Sequence, residues 1–174
     1  MMRSKRSFPK KVDLVIYDFD GVVTDNKVYV GQDGCETVCV NRSDGLAVSW
    51  LRKIGIQQVI CSTEANLVVQ ARADKLGLRC FSGIKDKGSI FAQILAEFNA
   101  LSENTIMIGN DINDLKTLAL AGFSACPKDG HPIVLDQVDA VIDKNGGEGV
   151  VRAFADYFFE MSGSNYKSNL IKFN

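Results

Sequence analysis

The sequence predicts an α/β fold: a single doubly wound parallel sheet, Rossmann-like, with a β-hairpin flap and no large cap domain. Three observations carry that expectation. Short apolar runs alternate with longer amphipathic stretches, the pattern of a parallel sheet covered by helices. The first run, Leu14 to Tyr17, is apolar at successive positions, as a strand buried on both faces must be. The rhythm is interrupted once, by a segment that alternates apolar and polar residues around a glycine-bearing turn.

In chain order, DLVIY (13–17) is the first strand and KVYVGQDGCETVCV (27–40) is the hairpin flap, turning at GQDG. DGLAVSWLRKIG (44–55) is a helix, QQVICS (57–62) a strand, ANLVVQARADKLG (65–77) a helix and LRCF (78–81) a strand. KGSIFAQILAEFNA (87–100) and INDLKTLALAG (112–122) are helices on either side of the strand NTIMIG (104–109). GFSAC (122–126) and DAVID (139–143) are strands, and EGVVRAFADYFFEM (148–161) is the last helix. Several helices close on a glycine that suits a helix C-terminus. Without repeats, low-complexity tracts or an interdomain linker, one domain is expected over residues 12–161. A basic leader (1–11) is expected to be disordered, and the tail (162–174) is polar and loosely patterned.

The chain has 174 residues and a formal net charge of −1, so its total balance attracts neither nucleic acid nor an anionic membrane. Its cysteines, Cys35, Cys39, Cys61, Cys80 and Cys126, form no CxxC pair and read as reduced thiols of a cytoplasmic protein. The basic N-terminus has no apolar run behind it of the kind a signal peptide needs, and no segment approaches membrane-spanning length.

In an open α/β sheet, ligands bind beyond the carboxyl ends of the strands. Those ends supply Asp18 and Asp20, then Ser62 and Thr63, then Asn110, Asp111 and Asp114, while Lys87 opens the helix after the third strand. Two carboxylates held close at neutral pH need a shared proton or a cation, and an oxygen-rich cluster suits Mg²⁺. A metal makes phosphate the natural ligand: one carboxylate can attack phosphorus while the other handles protons. Taken singly, these residues have plainer readings. Ser62 could be a helix N-cap, Lys87 a surface lysine, and Glu64, Arg72 and Lys75 a solvated helix face. GGEGVV (146–151) reads as a turn and a helix start, and His131 as a loop residue rather than a proton shuttle.

DFDGVVTD (18–25) resembles the DxDGxxTD signature of the haloacid dehalogenase-type phosphohydrolases, and Ser62, Lys87 and GNDIND (109–114) resemble that superfamily's later motifs in order. The resemblance implies that Asp18 is the nucleophile and Asp20 the general acid/base and a backbone-carbonyl ligand. It makes Ser62 a hydrogen-bond donor to the phosphoryl group and Lys87 the stabiliser of the phosphorylated carboxylate. It places Mg²⁺ among Asp18, Asp20, Asn110 and Asp111, with Asp114 behind them. The hairpin, the STE triplet (62–64) and GGEGVVRAF (146–154) extend the likeness from Asp13 to Phe159. They resemble the small tetrameric phosphatases of 3-deoxy-octulosonate 8-phosphate and nonulosonate 9-phosphates, and the similar domain fused to some acylneuraminate cytidylyltransferases. The implied substrate is a sugar-acid phosphate, touched by Gly21, Thr63, Glu64, Arg72 and Lys75. In the implied homotetramer the cover over the site comes from a neighbour, whose GGEGVVR region with Arg152, or whose C-terminal tail, reaches the carboxylate end of the substrate, since no segment of this chain is long enough to close over the site. Glu64 with Arg72 and Lys75 resembles the nonulosonate branch, because a basic residue is commoner at the Glu64 position in the octulosonate one.

The sequence departs from the family at Asn110, where an Asp usually ligates the metal. Either metal affinity falls, or Asp111 reaches the ion directly or through water. Asn110 is also the one feature favouring a second function, a weakly active or inactive assembly module associated with acylneuraminate cytidylyltransferase function. A third, a phospho-receiver domain, fits poorly, since both acids sit on one strand end and a hairpin follows.

Overall fold

The computed structural model describes residues 7–162. Six strands form one parallel sheet: β1 (Leu14–Tyr17), β4 (Gln57–Cys61), β5 (Arg79–Phe81), β6 (Thr105–Ile108), β7 (Phe123–Pro127) and β8 (Ala140–Ile142), in the order β5-β4-β1-β6-β7-β8. The order reverses at β1, which pairs with β4 on one side and β6 on the other, and a crevice opens there beyond the strand ends. The doubly wound sheet predicted from the alternating runs is what forms.

The alternation of side chains along each strand divides the core into two layers. Val15 and Tyr17 of β1 face one cluster with Ala47, Val48 and Leu51 of α1 (Arg42–Lys53), Val69 and Ala73 of α2 (Leu67–Leu76), and Phe154 and Phe158 of α6 (Val150–Met161). Leu14 and Ile16 face the other, with Phe91 and Ile94 of α3 (Phe91–Glu97), Leu118 of α4 (Leu115–Leu120) and Val134 of α5 (Pro132–Gln137). β1 is thus apolar throughout because both of its faces are covered.

Two features lock the helices of the first layer. Asn41 caps α1, and Asp44 in the first turn of that helix accepts the Arg152 backbone N–H of α6 at 2.9 Å. Burial pushes the Asp44 carboxyl up to about 6, against the pull of the Arg152 and Val151 amides and of Arg72.

β2 (Thr24–Val30) and β3 (Glu36–Val40) form the expected hairpin as a separate two-stranded antiparallel sheet. It carries the exposed side chains Val28, Tyr29 and Val30. Residues 7–11, expected within the disordered leader, are in place: Phe8 packs edge-on against Phe123, Tyr157 and Phe158, which anchors the segment. Residues 1–6 and the tail from 163 lie outside the described residues.

Other differences concern short elements. The helix expected from Lys87 begins as a 3₁₀ turn (Lys87–Ile90), and the one from Ile112 as a 3₁₀ turn (Ile112–Asp114). α5, with Pro132 in its first turn, lies in a stretch read as loop, and His131 is its N-cap, accepting from the Ile133 N–H. Cys61, Cys80 and Cys126 are buried, while Cys35 and Cys39 are exposed on the hairpin; all are free thiols. Among the described residues no helix is long and apolar enough to cross a membrane.

Candidate active site

Asp18 is the first residue beyond β1, and its N–H continues the ladder to the Ile108 carbonyl at 2.9 Å, so the sheet itself fixes where its side chain emerges. Its Oδ1 accepts from the Phe19 N–H and lies 2.6 Å from the Lys87 ammonium. Lys87 Nζ also donates to Asp114 Oδ1 at 2.6 Å. All three side chains are buried, so Lys87 is no surface lysine but the cation between two carboxylates. Asp114 Oδ2 turns the other way and accepts from the Asn110 and Asp111 amides at 2.9 and 3.2 Å. A single buried carboxylate thereby holds both the lysine and the loop after β6.

Burial, with Asp114 adding to it, pushes the Asp18 carboxyl up to about 8 against the opposing pull of Lys87. Burial presses the Lys87 ammonium down, but Asp18 and Asp114 outweigh it and the net shift is upward. Lys87 therefore stays charged. The Asp20 carboxyl is also raised, by burial first and then by Glu64 and Glu36, while Thr24 opposes the shift.

Asp20 is steered by Thr24, whose hydroxyl donates to Asp20 Oδ1 at 3.1 Å and accepts from the Gly21 and Asn26 amides. Gly21 adopts φ +80°, and a Cβ there would lie 2.0 Å from the Asn110 amide, so only glycine lets the acidic loop and the Asn110 loop meet. The Gly146–Gly147 turn presses on the same loop from behind, with the Gly147 N–H bonded to the Val22 carbonyl at 3.2 Å. A Cβ on Gly146 would come 2.4 Å from the Gly21 carbonyl oxygen. The GGEGVV stretch is a turn and helix start, as its sequence predicts, and it braces the site.

Ser62 follows β4 and is buried; its Oγ accepts from the Glu64 N–H at 3.1 Å, which leaves the hydroxyl proton free to donate. It is not the cap of α2, a role that Asn66 performs. The resulting cleft, of about 380 Å³, is lined by Asp18, Asp20, Asn26, Ser62, Thr63, Asn110, Asp111 and Asn113.

The remaining sequence candidates lie elsewhere. Glu64 is exposed beside the cleft and accepts from the Asn66 N–H. Arg72 and Lys75 line a second groove, of about 480 Å³, with Arg42 and Arg52, because α2 turns that face toward α1; Arg72 donates to the Asn41 carbonyl. Arg152 stacks over Trp50 at 4.3 Å and pairs with Asp156 at 3.1 Å. Within one chain, none of these last three reaches the Asp18 cleft. The sequence reading missed Thr24 as the orienter of Asp20, although it lies within DFDGVVTD, and it missed Asn26 and Asn113.

Among the described residues no three His, Cys, Asp or Glu side chains gather as a metal site. The converging groups are instead mixed. With its nitrogen turned toward them, the Asn110 amide donates to Asp18 Oδ2 at 3.1 Å and to the Asp20 carbonyl at 2.9 Å. Turned the other way, its oxygen joins those two in a set of three oxygen donors, which suits a hard cation. Asp111 lines the same cleft, but its Oδ1 is committed to the Ile112 N–H as the cap of the following turn.

Residues 55–154 match the haloacid dehalogenase-like hydrolase family. The 3-deoxy-D-manno-octulosonate 8-phosphate phosphatase of Yersinia pestis is 31% identical over 146 residues, 83% of this chain and 78% of that protein. Among solved structures, the enzyme of that name from Moraxella catarrhalis, in complex with magnesium, phosphate and KDO, superposes with a TM-score of 0.88 at 26% identity. The match covers 95% of both chains. The cobalt-bound form from Haemophilus influenzae superposes at 0.85 with 28% identity, over 88% of this chain and 91% of that one.

Proposed function

The chain belongs to the haloacid dehalogenase-like hydrolase family and is a phosphatase, and from that premise we propose that it hydrolyses a phosphorylated sugar acid through an aspartyl-phosphate, with 3-deoxy-D-manno-octulosonate 8-phosphate as the first candidate. The observation that carries this reading is Asp18 beside Lys87 and Asn110 in a polar open cleft. Nonulosonate 9-phosphates are the second candidate, favoured by the acid at Glu64 beside the cleft.

In the first step an Asp18 oxygen bonds to phosphorus as the bond from phosphorus to the leaving alcohol oxygen breaks, and Asp20 gives that oxygen its proton. The raised Asp20 carboxyl suits a proton donor. In the second step Asp20 takes a proton from water, whose oxygen displaces Asp18 from phosphorus and releases phosphate. Lys87 and the Ser62 hydroxyl offset the charge on the phosphoryl oxygens. A Mg²⁺ ion held by the Asp18 carboxylate, the Asp20 carbonyl and the Asn110 amide oxygen would neutralise phosphoryl charge further.

Phosphate release from both sugar-acid phosphates and from phenyl phosphate, in Mg²⁺ and in chelator, tests the reading. The expected result is a Mg²⁺-dependent kcat/KM for one sugar-acid phosphate about a hundredfold or more above that for phenyl phosphate. Equal values for all three would overturn the substrate assignment.

Asn110→Asp adds a charged oxygen to the proposed ligand set and is expected to lower the Mg²⁺ concentration at half-saturation by about tenfold. Thermal stabilisation by Mg²⁺ gives a readout independent of activity. An unchanged midpoint in both would show that Asn110 does not touch the ion.

The proposed assembly is a homotetramer, supported by the hairpin, where Val28, Tyr29 and Val30 are 49%, 68% and 64% exposed on a two-stranded sheet with free edges. Arg152 is held within its own chain, stacked over Trp50 and bonded through its Nε–H to Asp156. Light scattering is expected to give four times the 19.0 kDa of one chain, and Tyr29→Asp is expected to reduce it. An active monomer would overturn the proposal.

A further inference from the structure

Between Thr24 and Val28 the hairpin loses register. Thr24 pairs with Val40 and Val28 with Val38, so Asp25, Asn26 and Lys27 together face the single residue Cys39. Irregularities of this kind re-aim side chains and are frequent beside active sites. Asn26, at the centre of this one, has φ +62°, a left-handed conformation that asparagine tolerates better than other residues with a side chain.

That conformation has a consequence for the cleft. Asn26 is the one residue of the hairpin strands β2 and β3 that lines it. Its backbone N–H is held by the Thr24 hydroxyl at 3.2 Å, the same hydroxyl that donates to Asp20, so its position is tied to that of the proposed acid/base. Among the described residues its side-chain amide has no hydrogen-bond partner, and the residue is exposed. Thr63 and Asn113 also line the cleft and are joined by an Asn113 Nδ2 to Thr63 Oγ1 hydrogen bond of 3.3 Å. Acids and Lys87 therefore surround the phosphoryl position, while Asn26, Thr63 and Asn113 are neutral hydrogen-bonding groups. A carboxamide offers both donors and an acceptor, which matches a hydroxyl in either sense.

We propose that Asn26 is a specificity-determining residue, whose side-chain amide hydrogen-bonds a hydroxyl of a polyhydroxylated leaving group close to the scissile phosphate. The proposal rests on the phosphatase reading and deepens it. It requires a polyol phosphate but not one particular sugar acid.

The test compares Asn26→Gly, which removes the amide and keeps the backbone conformation available, with Asn26→Asp, which keeps the shape and an acceptor but removes both donors. For each protein the readout is the ratio of kcat/KM on a polyol phosphate to kcat/KM on phenyl phosphate, which lacks hydroxyls. The polyol phosphate is whichever member of a panel of sugar-acid, sugar and glycerol phosphates the unsubstituted protein turns over best. Failure of the sugar-acid assignment thus appears in the unsubstituted protein and leaves this test in force. The expected result is a ratio about tenfold lower in Asn26→Gly, the scale of one hydrogen bond. Asn26→Asp is expected to lower it as well, with the loss in KM larger than that in kcat. An unchanged ratio in Asn26→Gly overturns the proposal. So does a parallel loss on both substrates, which would mean that Asn26 acts only through Thr24 and Asp20.

Discussion

Asp18→Asn is expected to remove phosphatase activity, with kcat falling on the order of 10⁴-fold or more, because a carboxamide cannot accept the phosphoryl group. The substitution is close to silent for the fold. Asparagine keeps the shape and still offers an oxygen to the Phe19 N–H, and Lys87 keeps Asp114 as its counter-ion. It also removes a carboxyl that burial and Asp114 make costly to ionise. The folded-state value is raised above that of the unfolded chain, so ionising Asp18 takes stability away as pH rises. In chelator, the thermal midpoint of Asp18→Asn is therefore expected to equal or exceed that of the unsubstituted protein, more so at higher pH. Loss of activity with that stability retained, and no phosphate incorporated in a rapid-quench experiment, would bear out the covalent route. Near-normal turnover would refute it.

Much of this site was legible in the sequence because its chemistry sits where strand ends must be. Asp18, Asp20 and Ser62 follow apolar runs that read as strands, and Asn110 to Asp114 follow another. Lys87 was legible only by its spacing, since nothing in KDKGSI marks it as buried; its depth comes from being clamped between Asp18 and Asp114. What stayed hidden depends on rotation and on irregular backbone. Arg72 and Lys75 were grouped with the substrate, but which groove a helix face lines is set by packing, and α2 turns them toward α1. α5 is six residues long, too short for a helical period to emerge. Asn26 precedes the hairpin segment read from the sequence (27–40), and only the loss of register in the hairpin brings it into the cleft. Phe8 was hidden by its basic neighbours, although a lone aromatic before the first strand had somewhere to pack.

Lys87→Met is expected to cost both stability and rate, and the pH dependence of the first separates it from a packing defect. Methionine fills most of the lysine's volume, so little cavity forms, but it leaves Asp18 and Asp114 buried together with no cation between them. Breaking a buried ion pair from one side costs about 3–5 kcal/mol. Asp18 loses the one charge that draws its carboxyl downward, while burial and Asp114 continue to push it up. Folding of the variant then holds a proton that the unfolded chain releases above its own carboxylate value of 3.8. The unsubstituted protein keeps the same proton up to about 8, so by linkage the deficit relative to it is constant below that pH and widens above it, where only the variant still holds the proton. Melting curves in chelator from pH 6 to pH 9 are expected to show a constant deficit that begins to widen near pH 8. The rate loss, on the order of 10³-fold, follows from removing a preorganised cation from the phosphoryl position. Adding Asp114→Asn to Lys87→Met removes the carboxylate that pushes Asp18 up, so it is expected to recover stability at pH 9 without recovering turnover. A deficit that stays constant with pH, and that the second substitution does not relieve, would mean that Lys87 serves the fold by packing alone.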